Sequence, residues 1–256
     1  MLSDLMAGAA ADALDRERNR PLEQVRAEAL ARPAAIDALA ALAPADHVKI
    51  IAEVKRASPS RGDLAEIRDP AQLAVSYQAG GASTISVLTE GRKFKGSLAD
   101  LEEVRRSVSL PVLRKDFIST PYQVYEARAA GADLVLLIVA ALDDATLASL
   151  YALITDLGMT ALVETHSEEE LHRALSLGAQ LVGVNARNLS TFQLDRDLFG
   201  TLAPQIPAGV IRVAESAVLS PEDVRHYRAA GADVVLIGEA LVTGDPVATL
   251  GEYLAV

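Results

Sequence analysis

The chain has no cysteine and no tryptophan, only four phenylalanines, and only four histidines. Without cysteine there is no disulfide framework and no thiolate metal site. The histidines are scattered, with no HxxxH or HxH pair, so no metal-ligand spacing is present. Long apolar runs are also missing. The longest, Leu134–Leu142, is far short of the roughly 18 residues of a membrane span. Positive charge is in deficit: the formal net charge of −11 opposes non-specific binding to nucleic acid or anionic membrane, though a local basic pocket can still hold an anion. The N-terminus carries Asp4 and lacks a basic leader region, so it does not read as a signal peptide. No GxGxxG or GxxxxGK[ST] follows any apolar run, which removes the usual nucleotide-binding turns. What is left is a cytoplasmic protein with no nucleic-acid or membrane partner.

What is present is ordinary globular material: 256 residues, 50% hydrophobic and 23% charged, enough for one large domain or two small ones. The stretch Ile50–Ser60, IIAEVKRASPS, is the most informative. Its aliphatic start reads as a strand covered on both faces. Alternation then puts Glu53 and Lys55 on the same face as Ile51, near the strand's C-terminal end. Lys and Glu are seldom buried unpaired, so the pair marks either a strand-end ion pair or a site.

Residues 1–47 are rich in Ala, Arg and Glu, with helical spacing of Leu5, Ala9 and Ala13 and then of Val25 and Ala29. They predict a helical extension set against a main unit of residues 48–256. From His47 onward, apolar runs and amphipathic stretches alternate. Strands are expected near 48–55, 83–88, 111–116, 133–139, 160–165, 181–185, 210–215 and 233–238. Helices are expected near 70–79, 97–107, 121–130, 143–157, 167–177, 195–203, 221–230 and 246–254. Start signals include Asp69-Pro70, Thr120-Pro121, Ser220-Pro221 with Asp223, and a capping box of Ser167 with Glu170. Gly81, Gly131, Gly158, Gly178 and Gly231 stand where left-handed helix ends are expected. Near-identical text at Gly131-Ala132-Asp133, Gly178-Ala179-Gln180 and Gly231-Ala232-Asp233 recurs about every two βα units, an internal repeat. Eight such units predict an α/β fold of the (β/α)8 TIM-barrel type rather than an open doubly wound sheet.

In a barrel the chemistry belongs at the C-terminal strand ends. Five ionisable residues fall there at inward positions: Glu53, Lys55, Lys115, Glu164 and Glu215. Lysines among glutamates suit acid–base work, with a Lys donating to a carbonyl or hydroxyl and a Glu in an apolar pocket accepting. Gly238, together with the turn after Glu215-Ser216, suits the phosphate site that barrels build after strands 7 and 8.

From about Lys49 onward the chain resembles the indole-3-glycerol phosphate synthase family. The motifs are IIAEVKRASPSRG (50–62), GGASTISVLTE (80–90), FKGS (94–97), LPVLRKDF (110–117), PYQVYEARAAGADLVLLIVAAL (121–142), LVETH (162–166), VGVNARNL (182–189), AESA (214–217) and LIGEAL (236–241). The resemblance implies a lyase without metal or cofactor that closes the ring of 1-(2-carboxyphenylamino)-1-deoxyribulose 5-phosphate, losing CO2 and water. It implies that Lys115 is the general acid and Lys55 its partner. Glu164 would serve the dehydration half, Glu53 and Asn185 would hold the lysines and hydroxyls, and Glu215 and Ser216 would line the far side. Ser58 and Arg187 would meet the anionic ends of the substrate. Phe94, Phe117, Leu136 and Leu189 would wall the anthranilate ring, and Ala217, Gly238 and Glu239 would surround the phosphate. It also implies that the N-terminal helices cover the mouth, in a monomer or weak homodimer whose partner is a small phosphorylated substrate. One departure stands out. The family's usual Glu-Ser-Gly after strand 7 is Glu215-Ser216-Ala217 here, so a positive φ at Ala217 would be strained. The residues alone leave two other readings open: a sister sugar-phosphate isomerase or Schiff-base aldolase barrel, and a non-catalytic scaffold.

Overall fold

The computed structural model describes residues 1–188 and 191–256. Eight strands close a parallel barrel: β1 Lys49–Val54, β2 Thr84–Leu88, β3 Val112–Lys115, β4 Leu134–Ile138, β5 Thr160–Thr165, β6 Leu181–Asn185, β7 Ile211–Glu215 and β8 Val234–Ile237. Each pairs with the next in sequence, and β8 returns to β1 in the register Lys49↔Val234. The runs are apolar throughout because both faces are covered, and alternation sorts them into two separate cores. Ile50, Ala52, Val54, Val135, Leu137, Val182, Val184 and Val235 pack outward under the helices. Ile51, Leu113, Leu134, Leu136, Leu162, Leu181, Val213 and Leu236 fill the barrel interior.

The covering helices are α4 Pro70–Ala79, α5 Leu98–Ser107, α6 Pro121–Ala130, α7 Asp144–Asp156, α8 Glu168–Ser176, α9 Leu198–Leu202, α10 Pro221–Ala229, the short α11 Glu239–Val242 and α12 Pro246–Leu254. Side-chain caps at Asp69, Ser97, Thr120, Asp143, Ser167, Ser220 and Asp245 accept from the first-turn N–H groups, each worth about 1 kcal/mol. The five expected glycines all have positive φ, which a helix ending in a left-handed turn requires.

Three details differ from expectation. The helix predicted over 195–203 begins only at Leu198, because Asp195 turns the chain by accepting from Asp197 N, and Pro204 then converts the end to a 3-10 turn. A two-residue ribbon, Ala57–Ser58 with Gly62–Asp63, stands in the loop after β1. The capping box at α8 is half formed: Ser167 caps Glu170 N, but the Glu170 carboxylate turns away to His166.

Before the barrel lie α1 Leu2–Asn19, α2 Leu22–Leu30 and α3 Ala38–Ala41. They divide between the two ends. α3 closes the N-terminal end, where Ala38 and Leu42 join the interior core and Ile36 N donates to Asp133, at the start of β4. α1 lies at the C-terminal end, with Leu5 in the mouth and Asp12 paired to Arg92 of the loop after β2. α2 packs on α6 through Val25, Ala29, Tyr122 and Ala129.

Candidate active site

A barrel interior is built in layers, each filled by alternate strands. On β1, β3, β5 and β7 the layer of Ile51, Leu113, Leu162 and Val213 lies two residues below Glu53, Lys115, Glu164 and Glu215. The uppermost layer of these strands is therefore ionisable. Lys115 Nζ stands 4.0 Å from Glu53 Oε2, 3.8 Å from Glu164 Oε2 and 3.8 Å from Glu215 Oε2. Burial works against its charge, but the three carboxylates outweigh burial and hold its pKa above the ordinary lysine range. Glu53 pairs with Lys55 at 2.8 Å and accepts from Ser86 Oγ at 3.3 Å. Burial would raise its pKa, yet Lys55 and Lys115 bring it below the usual value.

Glu164 and Glu215 part company. Burial opposes the charge of both. Glu164 is drawn down to about 2 by Lys115 and then His166. Glu215 is pushed well above the usual range by burial and by Glu164 facing it, and neither of its carboxylate oxygens has a hydrogen-bond partner among the described residues. The pair thus holds one carboxylate and one carboxylic acid, the arrangement that separates a base from an acid.

Above this layer opens a cavity of about 350 Å³, within the size range of small-ligand sites. Of the residues singled out from the sequence, Glu53, Lys55, Ser58, Phe94, Lys115, Phe117, Asn185, Arg187, Glu215, Ser216, Ala217, Gly238 and Glu239 all line it. Glu164 sits beneath, in contact with Lys115. Leu136 does not reach the cavity; it points into the barrel and packs in the interior core. Leu189 lies outside the described residues.

The cavity is polarised. On one side Phe94 and Phe117 approach with centroids 6.0 Å apart, beside Leu5 and Leu88. Elsewhere on the lining, Lys55 lies against Gly238, and Arg61 and Arg187 interact electrostatically with Glu239 next to it. Arg61 Nε is 3.0 Å from Glu239 Oε1. Asn185 Oδ1 accepts from Ser216 Oγ at 2.7 Å and from Arg187 N at 3.0 Å, which leaves its amide N–H groups for a ligand. Ser216 and Ala217 are both left-handed, with φ of 70° and 58°. The strain anticipated at Ala217 is therefore present.

Several supporting residues were not legible in the sequence. Gly183 faces inward on β6 between Glu164 and Glu215, and a Cβ there would stand 2.1 Å from Glu215 Oε1. Gly238, singled out from the sequence as a phosphate-site residue, has this second, less tight constraint: a Cβ would lie 2.7 Å from Glu53 Oε1 and 2.9 Å from Lys55 Nζ. The buried Glu90 carboxylate accepts from Arg92, Lys93 and Phe94 N–H groups and so shapes the loop that presents Phe94. Arg114, fully buried behind Lys115, is held by Thr89, Asp116, Glu126 and Gln123 O. Arg16 of α1 reaches the same Glu126.

A closed parallel barrel with a lysine among three carboxylates under a cavity cationic at one side is a (β/α)8-barrel enzyme in architecture. The family profile described as indole-3-glycerol phosphate synthase matches residues 2–251. The indole-3-glycerol phosphate synthase of Leifsonia xyli subsp. xyli is 69% identical over 100% of this chain and 98% of its own. That of Mycobacteroides abscessus is 58% identical over 96% and 90%. Among solved structures, a thiamine phosphate pyrophosphorylase from Pyrococcus furiosus superposes with a TM-score of 0.62 at 14% identity, covering 80% of this chain and 93% of that one, a likeness of fold alone. The chain belongs to the indole-3-glycerol phosphate synthase family, and with it to the carbon–carbon lyases of tryptophan biosynthesis.

Proposed function

We propose that this mouth converts 1-(2-carboxyphenylamino)-1-deoxyribulose 5-phosphate to indole-3-glycerol phosphate by proton transfers among Lys115, Lys55 and the glutamates. The observation that carries the reading is Lys115 set within 4.0 Å of three carboxylates from three strands. Held charged at any working pH, it can donate to the substrate carbonyl as the ring carbon attacks and an alkoxide begins to form. Carbon dioxide then leaves, and the electron pair of the bond that had joined it stays with the ring and restores its aromaticity. In the dehydration half, Glu164 and Glu215 form an ionised and protonated pair that can accept one proton and deliver another. Lys55, beside Glu53, serves the substrate carboxylate and the later transfer.

The phenyl ring packs against the apolar wall that Phe94 and Phe117 form together. The phosphate fits at the turn of Ser216-Ala217 and at Gly238, with Lys55, Ser58 and Arg187 nearby. Asn185 orients a hydroxyl. Each step moves protons or electrons already in the substrate, so the reading calls for no cofactor. Residues 1–47 act with the barrel of residues 48–256 as one catalytic unit, because α1 brings Leu5 into the cavity. We place the enzyme in the cytoplasm, as a monomer or weak homodimer; among the described residues no helix is long and apolar enough to cross a membrane. A Schiff-base aldolase fits less well, since its lysine needs a lowered pKa whereas the carboxylates raise that of Lys115.

The test is turnover of the carboxyphenylamino-deoxyribulose phosphate, followed by indole fluorescence, in the wild type and in Lys115→Met. Wild-type turnover is expected, with kcat lower by about 10²–10⁴-fold in the variant and substrate still bound. A variant keeping more than about a tenth of the activity would remove Lys115 from the role of acid.

A further inference from the structure

His166 lies two residues beyond Glu164, where β5 leaves the barrel for α8. Nothing in the mechanism above uses it, yet its side chain is only 9% exposed and stands between two carboxylates. Nε2 is 3.3 Å from Glu164 Oε1, and Nδ1 is 3.0 Å from Glu170 Oε2. The first contact is an ion pair rather than an aligned hydrogen bond, because Nε2 meets no acceptor in hydrogen-bond geometry. The second is reinforced by the backbone, since His166 N donates to the same Glu170 oxygen at 2.8 Å.

The behaviour of Glu170 is the independent clue. At the third position of a helix capped by Ser167, a glutamate ordinarily reaches back to the cap residue's N–H. The corresponding residues of α6 and α10, Gln123 and Asp223, do so. Glu170 keeps the bond to the residue before the cap, accepting from His166 N as Gln123 and Asp223 accept from Ser119 N and Leu219 N, but in place of the cap residue's own N–H it grips the His166 imidazole. The grip fixes the ring from the side away from the barrel and turns Nε2 toward Glu164. The other oxygen of Glu164, Oε2, is the one 3.8 Å from Lys115.

We propose that His166, anchored by Glu170, is a positioning residue that holds Glu164 Oε1 and thereby presents Oε2 to Lys115. The proposal rests on the reading of Glu164 as a proton-transfer group. Two titratable groups face the imidazole, Glu164 from its own strand and Glu170 from α8, while Lys115 and Glu215 bear on it through Glu164. Both neighbours favour the imidazolium over the opposing effect of burial, which brings its pKa up to about 10. Glu164 is thus flanked by two cations, one on each oxygen.

Two measurements test this. In the first, kcat for the carboxyphenylamino-deoxyribulose phosphate is followed against pH in wild type, His166→Asn, His166→Gln and Glu170→Gln, with thermal unfolding as the check on folding. His166→Asn is expected to lower kcat about 10–100-fold, as loss of an orienting partner does, with KM little changed. Its acid limb should move to higher pH, because Glu164 has lost a cation. Glu170→Gln should lose less at neutral pH but fall off at lower alkaline pH than the wild type, as the imidazole becomes easier to deprotonate. The second measurement needs no turnover: 15N NMR titration of His166 in wild type and in Glu164→Gln. Removing the Glu164 charge should lower the His166 titration by about 1–3 pH units. A folded His166→Asn or His166→Gln with wild-type kcat and an unmoved acid limb would overturn the proposal while leaving the assigned reaction standing. If the wild type fails to turn over this substrate, the assigned reaction falls, and the NMR titration alone decides the pairing: a His166 that titrates identically with and without the Glu164 charge refutes it.

Discussion

Gly183→Ala is the sharpest probe of how Glu215 is held. Gly183 lies in β6, paired with Glu164 on one side and Val213 on the other. Its φ is not positive, so alanine can adopt the backbone without strain, and leaving glycine in a strand interior forgoes about 0.5–1 kcal/mol. The added methyl, however, would stand 2.1 Å from Glu215 Oε1 and 3.2 Å from its Cδ. Non-bonded heavy atoms rest at about 3.5–4.0 Å, so the carboxyl must retreat by more than about 1 Å. Overpacking of this kind costs about 1–3 kcal/mol, partly offset by the backbone gain, so the barrel should remain folded with a modest fall in Tm. Activity should suffer far more, because a misplacement of about 1 Å in a reacting group costs about 10²-fold. Steady-state kinetics with fluorescence detection reads kcat, and thermal unfolding reads stability. Gly200→Ala is the control, since the nearest atom to a Cβ there is 3.7 Å away. A folded Gly183→Ala enzyme within about twofold of wild-type kcat would falsify the claim that Glu215 must sit where it does.

Glu215→Gln should abolish most activity yet leave Tm at neutral pH unchanged or higher. A carboxyl whose folded pKa is raised holds a proton that the unfolded chain releases, so it weakens the fold progressively as pH rises above the unfolded value of about 4.3. The variant should lose that part of the pH dependence of Tm, and an unchanged Tm–pH curve counts against a raised Glu215. Ala217→Gly should stabilise: a left-handed alanine costs about 1–2 kcal/mol, against about 0.4–1 kcal/mol lost through a freer unfolded chain. Inorganic phosphate, titrated by calorimetry, should bind at least as tightly as to wild type; a destabilised variant with weaker phosphate binding would mean that the methyl, not the turn, matters there.

The barrel was readable because its physics is periodic. Parallel strands covered on both faces must be apolar throughout, and the helix starts and left-handed ends are written in single residues such as Asp69, Thr120 and Gly131. Glu53, Lys115, Glu164 and Glu215 stood out for a related reason: each breaks such a run at an inward position. The supports did not stand out, because they depend on contacts across the chain. Arg114 and Lys115 are adjacent in sequence, yet one is sealed behind the strand among Thr89, Asp116 and Glu126 while the other faces the cavity. Gly183 resembles any strand glycine until β7 brings Glu215 against it. Glu170 carries the signature of a capping box, and only the position of His166 shows where its carboxylate goes. Leu136 shows the limit of strand position alone: it faces inward as expected, but it packs in the interior core level with Leu162, one layer below Glu164.

The division of labour between strands and loops follows from the layers. Lys115 and the three glutamates come from β1, β3, β5 and β7, so no two of them are on neighbouring strands. Their 3.8–4.0 Å separations are set by the closed barrel rather than by a flexible segment. Burying this many ionisable groups is expensive, and Glu215, pushed toward its neutral form by burial and by Glu164, shows the expense directly. The apolar layer of Ile51, Leu113, Leu162 and Val213 beneath makes such a layer tolerable, since the barrel does not rely on its top for stability. The loops carry the rest of the cavity lining: Phe94 on the Glu90 turn, Ser58 in the ribbon after β1 with Arg61 in its turn, and Arg187 after β6. Under the proposed reaction, strands that fix the proton-transfer groups and loops that meet the substrate would let it be gripped at both ends without moving the lysine relative to its carboxylates.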